Sequence, residues 1–407
     1  MAGADRLPST RAAAGIAVNW PARQQQLDQG LLAVRELWHP QPFRELQPAW
    51  CKRWPALDRH LLSLSEDESS WFNDNSEAAL GLLSDFLPSL ADIACMARLP
   101  QRASQPLARR RSFWDWEIPG RKREQIEAFA AVARGGAYPV LDWCGGKGHL
   151  GRLLALDWQV PVHSLDVDAG LCAAGAVLAR RAVVDQQFIH ADALRVEGWP
   201  QFGQQVVALH ACGELHRHLV RQGVARGVAA LDLAPCCYHR GVETNYQPLS
   251  GPLELTLTRD DTRLAVTETV TANGRETRLR DQALAWKLGF DAYRRQSGDG
   301  DYRNFKSVPD RWLRASFAEF MQAMTCRENL PPASARVCVE FEAAGWQRRH
   351  AVMRYSIVRH AFRRAIEVWL ALDLAVYLGN AGYAVDLGSF CPRQLTPRNL
   401  LLSAHLS

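Results

Sequence analysis

The stretch Pro139–Leu156 reads PVLDWCGGKGHLGRLLAL. A short apolar run ends at Trp143, a glycine turn follows, and apolar residues then recur at helical spacing. This is the pattern of a strand, a tight turn and a helix in a parallel α/β unit. Gly146-Lys147-Gly148-His149-Leu150-Gly151 fits G-x-G-x-x-G letter for letter. Such a turn brings backbone close to a ligand and aims a helix N-terminus at it. The hexapeptide alone is weak, because its surroundings decide which ligand it serves.

In a nicotinamide enzyme the motif should follow directly on an apolar strand end. Here a carboxylate, Asp142, ends the strand. The pattern Asp142-x-Cys144-x-Gly146-x-Gly148 resembles the first motif of class I S-adenosylmethionine (SAM) methyltransferases, in which alternate glycines follow an acid. Cys144 stands where the first glycine is expected. The resemblance implies that Cys144, Gly146, Lys147 and Gly148 approach the methionine end of SAM, with Asp142 organising its amino group. Asp166 ends the next predicted strand, placed to accept hydrogen bonds from ribose hydroxyls, with Asp168 as the fallback. Nicotinamide enzymes share that acid, so it does not discriminate. Asp192, in IHADAL, ends the third strand, where the resemblance implies a contact to the adenine amino group. The plainer alternative is that these are turn and cap aspartates.

Working outward, strand-like and helix-like runs alternate from Pro139 to Cys237. Such alternation predicts an α/β fold with a doubly wound, Rossmann-like parallel sheet. Four segments are expected. Residues 1–105 form a helical N-terminal domain behind a flexible lead of residues 1–19, and 106–245 the SAM-binding core. Residues 246–333 form an insertion with a β-hairpin turning at Asn273-Gly274, and 334–407 supply C-terminal helices and closing strands.

Two segments at later strand ends carry most of the remaining chemistry: LHACGEL and APCCYHR. Loops at the carboxyl ends of adjacent parallel strands line one crevice. His210, Cys212, Cys236, Cys237 and His239 should therefore converge there. Three chemistries compete. His210 or His239 can serve as a general base. Cys236 can supply a thiolate nucleophile. The cluster can hold zinc, but adjacent Cys236 and Cys237 should point apart and the usual two-residue spacer is missing, so no metal is expected. A polar pocket wall containing one buried cysteine is the bland alternative. His210, His239 and Cys236 are the catalytic candidates, with His210 also expected at the cofactor and Tyr238 as a pocket wall.

The segments DWCGGKGHLGR, LHACGEL and CCYHR together resemble the methyltransferase-like protein 25 family. The endings IEVWLALDLAVYL and LTPRNLLLSA resemble it as well. Related segments occur in a family of tRNA ribose 2'-O-methyltransferases. The resemblance spans roughly residues 112–245 and 355–407. It implies a SAM-dependent methyltransferase and leaves the acceptor open.

Composition bounds the rest. The chain has 407 residues, 47% of them hydrophobic and 22% charged, a soluble globular balance. No apolar run reaches the roughly 18 residues of a membrane span. No signal peptide is recognisable, and ten scattered cysteines read as free thiols, so a cytoplasmic protein is expected. A net charge of +5 permits a nucleic-acid partner without requiring one. Arg109, Arg110, Arg111, Arg121, Lys122 and Arg123 surround Phe113, Trp114 and Trp116, a mixture that binds single strands by charge and stacking or serves as a solvated linker. RNA, tRNA or ribosomal RNA, is the preferred acceptor; a protein or small molecule stays open. The readings from other classes are an NAD-dependent oxidoreductase and a non-catalytic SAM- or RNA-binding protein.

Overall fold

The computed structural model describes residues 18–107, 114–133, 135–136, 138–268, 274–298 and 300–406. Most of the predicted lead lies outside the described residues, as do Arg109, Arg110, Arg111 and Phe113 of the basic segment and Asn273 of the predicted turn.

The sheet has seven strands: β1 (Val140–Trp143), β2 (Val162–Asp166), β3 (Gln186–His190), β4 (Gln205–Cys212), β5 (Ala230–Cys236), β6 (Tyr383–Ser389) and β7 (Leu400–Leu406). Their order is β3-β2-β1-β4-β5-β7-β6. The first five pair in parallel, and β7 enters antiparallel between β5 and β6. The order reverses between β1 and β4, which opens the crevice at their carboxyl ends. This is a doubly wound, Rossmann-like sheet, with an antiparallel hairpin at the C-terminal end.

Helices precede and flank the sheet. The N-terminal set is α1 (Trp20–Ala33), α2 (Arg35–Trp38), α3 (Trp50–Arg53), α4 (Pro55–Ser63), α5 (Glu66–Asp74), α6 (Ser76–Phe86) and α7 (Leu90–Ala97). Within the sheet unit follow α8 (Gly120–Val132), α9 (His149–Trp158), α10 (Ala169–Ala182) and α11 (Glu214–Arg226). After β5 come α12 (Arg259–Leu264), α13 (Gly274–Gln296), α14 (Asp310–Leu313), α15 (Phe317–Glu328), α16 (Ala335–Ala361) and α17 (Arg363–Asn380).

Alternation along the strands divides the core. Val140, Val162, Val207, Ala234 and Leu401 pack with Ile126 and Phe129 of α8 and Leu153 and Leu154 of α9. Leu141, Trp143, Leu165, Val206, Leu233 and Leu402 face the other side, toward α11 and α17. The N-terminal helices share that second cluster with the sheet, and α17 lies between them. Its Trp369 Nε1 donates to Asp28 of α1 at 2.8 Å, and its buried Asp373 accepts from Tyr246 Oη, Leu249 N and Ser250 N. Three donors satisfy a carboxylate that would otherwise be costly to bury.

In the 246–333 insertion, the predicted hairpin is not a strand pair among the described residues: its first arm opens in α12 and turns after Leu264, and its second arm is helical. Arg259–Leu264 is α12, opened by a Thr258–Asp261 capping box, and Gly274–Gln296 is α13. The cause is an apolar stripe of helical period. Leu279, Ala283, Trp286, Phe290 and Tyr293 recur every three or four residues and enter a third apolar cluster with Phe317 and Phe320. A buried helical stripe outweighs the β-propensity of isolated threonines and valines. Among the described residues no helix is long and apolar enough to cross a membrane.

Candidate active site

The glycine loop leaves β1 through alternating left-handed positions. Cys144 has φ 57°, Gly146 60° and Gly148 61°. Cys144 therefore adopts the conformation of the glycine it replaces, at a cost of about 1–2 kcal/mol for a residue with a Cβ. Burial pushes its thiol up to about 12. At Gly148 a side chain would also overlap the Gln186 amide and the Phe188 ring, so that position tolerates glycine alone.

Asp142 points into the protein. It is 2% exposed, and its Oδ2 accepts from Gly151 N and Ser164 Oγ, both at 3.1 Å. Burial raises its pKa to about 6 against those hydrogen bonds. Gln186 Nε2 extends the brace, donating to Ser164 Oγ and to Gly148 O, both at 2.8 Å. Asp142 thus fastens α9 to β1 and β2. Ser164 and Gln186 were not singled out from the sequence; their signal was two polar residues inside apolar strands.

Asp166 ties the loop to β2. Its Oδ2 accepts from Gly146 N at 2.8 Å and its Oδ1 from Asp168 N at 3.0 Å. A carboxylate has further lone pairs, so ribose hydroxyls can still be accommodated. Asp168 instead caps α10, accepting from Leu171 N at 3.0 Å. Asp192 sits in the turn after β3, accepts from Leu194 N at 2.9 Å and has Arg195 at 3.6 Å. Lys147 extends outward to Glu117 at 2.7 Å.

His149 and Arg152, both overlooked in the sequence, lock the loop from below. Burial and then Arg152 lower the His149 pKa to about 3, so its neutral Nδ1 accepts from Arg152 Nη2 at 2.7 Å. Arg152 Nε donates to Trp114 O at 3.0 Å. The two tryptophans of the basic segment therefore separate: Trp114 is buried, whereas Trp116 is 43% exposed with the Arg181 guanidinium 5.5 Å from its ring centroid.

The other side of the crevice is made by β4 and β5. The β4–β5 register shifts between Leu209 and Cys212, and His210 takes φ 65° there. Its Nε2 lies 3.3 Å from Gln125 Oε1, and Gln125 Nε2 also holds Leu395 O at 3.1 Å. Burial, then Arg398 and Lys122, lower the His210 pKa to about 4, leaving the ring neutral at pH 7. The two segments are knitted through backbone: Gly213 N donates to Cys236 O at 2.9 Å and Glu214 N to Arg240 O at 3.0 Å.

The adjacent cysteines do not point apart. Cys237 turns left-handed at φ 45°, and the sulfurs of Cys212, Cys236 and Cys237 all lie within 4.8 Å of one another. Cys236 is 5% exposed, its thiol donates to His210 O at 3.3 Å, and the neighbouring thiols push its pKa far up. That is a poor nucleophile. Hydrogen bonding from Cys236 pulls Cys237 down to about 5. His239 is half-buried with a lowered pKa, and its Nδ1 is buried without a hydrogen-bond partner. Tyr238 is no pocket wall: it is 1% exposed and packs edge-on against His216.

A cavity of about 1040 Å³ lies apart from the loop, between α5, α6, α13 and α16. Its cations are matched by acids: Arg349 pairs with Glu66 and Asp281 at 3.0 Å each, and Arg393 with Glu268. It is a charge-balanced basin.

Residues 121–243 match a family model described as a methyltransferase domain. No curated protein matches the chain. Among solved structures, the PH0226 protein from Pyrococcus horikoshii is 16% identical with a TM-score of 0.26, covering 30% of this chain and 62% of that one. The CcbJ methyltransferase from Streptomyces caelestis is 18% identical with a TM-score of 0.24, covering 32% and 58%. The 23S rRNA methyltransferase ErmE is 15% identical with a TM-score of 0.26, covering 57% and 97%. The chain spans less than two thirds of the PH0226 and CcbJ proteins. The matched segment contains the glycine loop, Asp166, Asp192 and both cysteine–histidine segments. The segment that holds the hexapeptide, residues 121–243, is thus similar to methyltransferase domains.

Proposed function

We propose that the whole chain is a SAM-dependent methyltransferase acting on RNA. The observation that carries the cofactor assignment is the similarity of residues 121–243, the glycine loop among them, to a methyltransferase domain, supported by the 2.8 Å bond from Gly146 N to Asp166. That bond joins the glycine loop and the acid of β2 in one crevice. There the backbone of Cys144, Gly146, Lys147 and Gly148 would meet the methionine end, Asp166 the ribose and Asp192 the adenine. Asp142 acts from behind, by bracing the loop rather than by touching the amino group.

Methyl transfer breaks a carbon–sulfur bond and forms a bond from the acceptor atom to the same carbon, with the electron pair leaving on sulfur. Alignment and exclusion of water supply much of such a rate. A base is needed only when the acceptor is protonated. His210 is the side chain suited to that role, because its ring is neutral and Gln125 fixes one nitrogen. His239 is turned inward, and Cys236 holds no accessible thiolate.

The RNA assignment is supported by exposed Trp116 with Arg181 over it, next to Glu117, which holds Lys147 of the loop at 2.7 Å. An exposed ring among cations stacks bases and holds phosphates. The test is transfer of labelled methyl from SAM into fractionated RNA, protein and metabolite pools. Label in RNA, with binding that weakens steeply as salt rises, is expected. Label confined to protein or metabolites, or RNA affinity indifferent to salt, would refute the RNA acceptor.

A further inference from the structure

We propose that Cys212, Cys236 and Cys237 form a zinc site, with His239 as the fourth ligand, clamping the ends of β4 and β5 together. Nothing in the methyl-transfer reading needs this site, and it stands whichever acceptor is used. Among the described residues this is the one place where three or more potential metal-ligating atoms converge so closely.

The distances fit a tetrahedral ion. With Zn–S near 2.3 Å, the sulfurs of a tetrahedral site stand about 3.8 Å apart. Cys212 and Cys236 are already at 3.5 Å, and all three sulfurs are within 4.8 Å. Soft thiolates in this number select zinc over harder divalent ions. Binding releases the thiol protons to solvent as the ion takes their place.

The backbone explains how adjacent cysteines reach one ion. Successive residues of an extended strand face opposite sides. The left-handed turn at Cys237, φ 45°, breaks that alternation and brings its sulfur to the side of Cys236. The bulge at His210, φ 65°, lies two residues before Cys212. Non-glycine residues in this region are strained and persist where surrounding structure holds them. A disulfide between Cys212 and Cys236 would leave the convergence of Cys237 without a use. A four-coordinate ion uses all three sulfurs and has room for one nitrogen. His239 stands two residues beyond Cys237, and its Nδ1 is buried with no hydrogen-bond partner. The ring stands outside the 4.8 Å convergence of the three sulfurs, and would join a shared ion by turning about its side-chain bonds.

The experiment uses the full chain purified without chelator. Elemental analysis should find about one zinc per chain, and replacement by Co²⁺ should give thiolate-to-cobalt charge-transfer absorption with tetrahedral visible bands. Alkylation read by mass spectrometry supplies a measurement on the unmutated protein. Exposed Cys95 and Cys326 should react with or without chelator, and the three clustered cysteines only after chelation. C237S should lose about tenfold or more of the zinc retained against a competing chelator, and H239A should alter the cobalt spectrum. Wild-type protein that binds neither zinc nor cobalt, with all three cysteines alkylated regardless of chelator, would overturn the site. So would a Cys212–Cys236 disulfide in protein purified without reductant. An unchanged cobalt spectrum in H239A would overturn the fourth ligand.

Discussion

The two sides of the crevice are built differently. On the β1–β2 side the groups close on one another: Asp142, Ser164 and Gln186 brace the loop, Asp166 holds Gly146, and His149 and Arg152 lock it from below. On the β4–β5 side, three thiols crowd within 4.8 Å of one another. A loop held by such hydrogen bonds is preorganised for a ligand that adds to it. A cluster of converging ligand atoms is completed by what it binds.

Four perturbations sharpen or break that contrast. The largest concerns Asp142. Its folded pKa, about 6, lies above the ordinary carboxylate value, so the folded state binds the proton more tightly than the unfolded chain. Its contribution is fully present at low pH and is lost as pH rises through about 6. D142N keeps an acceptor for Gly151 N and carries no charge. It should gain stability relative to wild type by up to about 3 kcal/mol as pH rises from 4 to 7, as denaturant melts at several pH values will show. A wild-type minus variant difference that does not change with pH would mean Asp142 is not the desolvated brace described.

Next is Asp166. D166A removes a charge-assisted acceptor from the loop and should weaken SAM binding by about 2 kcal/mol, some 30-fold, in calorimetric titration. Unchanged affinity would separate the loop from the β2 acid. W116A comes third: RNA affinity should fall about tenfold by loss of stacking, while SAM affinity holds. A loss of SAM affinity instead would show that Trp116 belongs to the cofactor side. Smallest is C144G. Relief of the left-handed strain, offset by the freer unfolded chain, should stabilise the protein by about 0.5 kcal/mol. A lower melting temperature would mean that the Cys144 side chain packs for more than its strain costs.

Much of the fold was legible in the stretch that opens on Pro139. A strand end, an acid and alternating small positions are local features, and sheet order then brings LHACGEL and APCCYHR to one edge. What was not legible depends on backbone turns that no residue type announces. The left-handed φ at Cys237 reverses the expectation that adjacent cysteines diverge, and that at Cys144 explains how a cysteine fills a glycine position. The orientation of Asp142 depends on Ser164, which lies on a different strand. The hairpin expectation weighed an Asn-Gly pair above a stripe from Leu279 to Tyr293 whose packing partners lie some thirty residues further on.

The central claim is that the loop from Gly146 to Gly151 serves SAM rather than a dinucleotide. Side-by-side calorimetric titration of the full chain with SAM and with NADH tests it most directly. Saturable one-to-one binding of SAM, weakened in D166A, with no heat from NADH is the predicted result. Binding of NADH with none of SAM would contradict it.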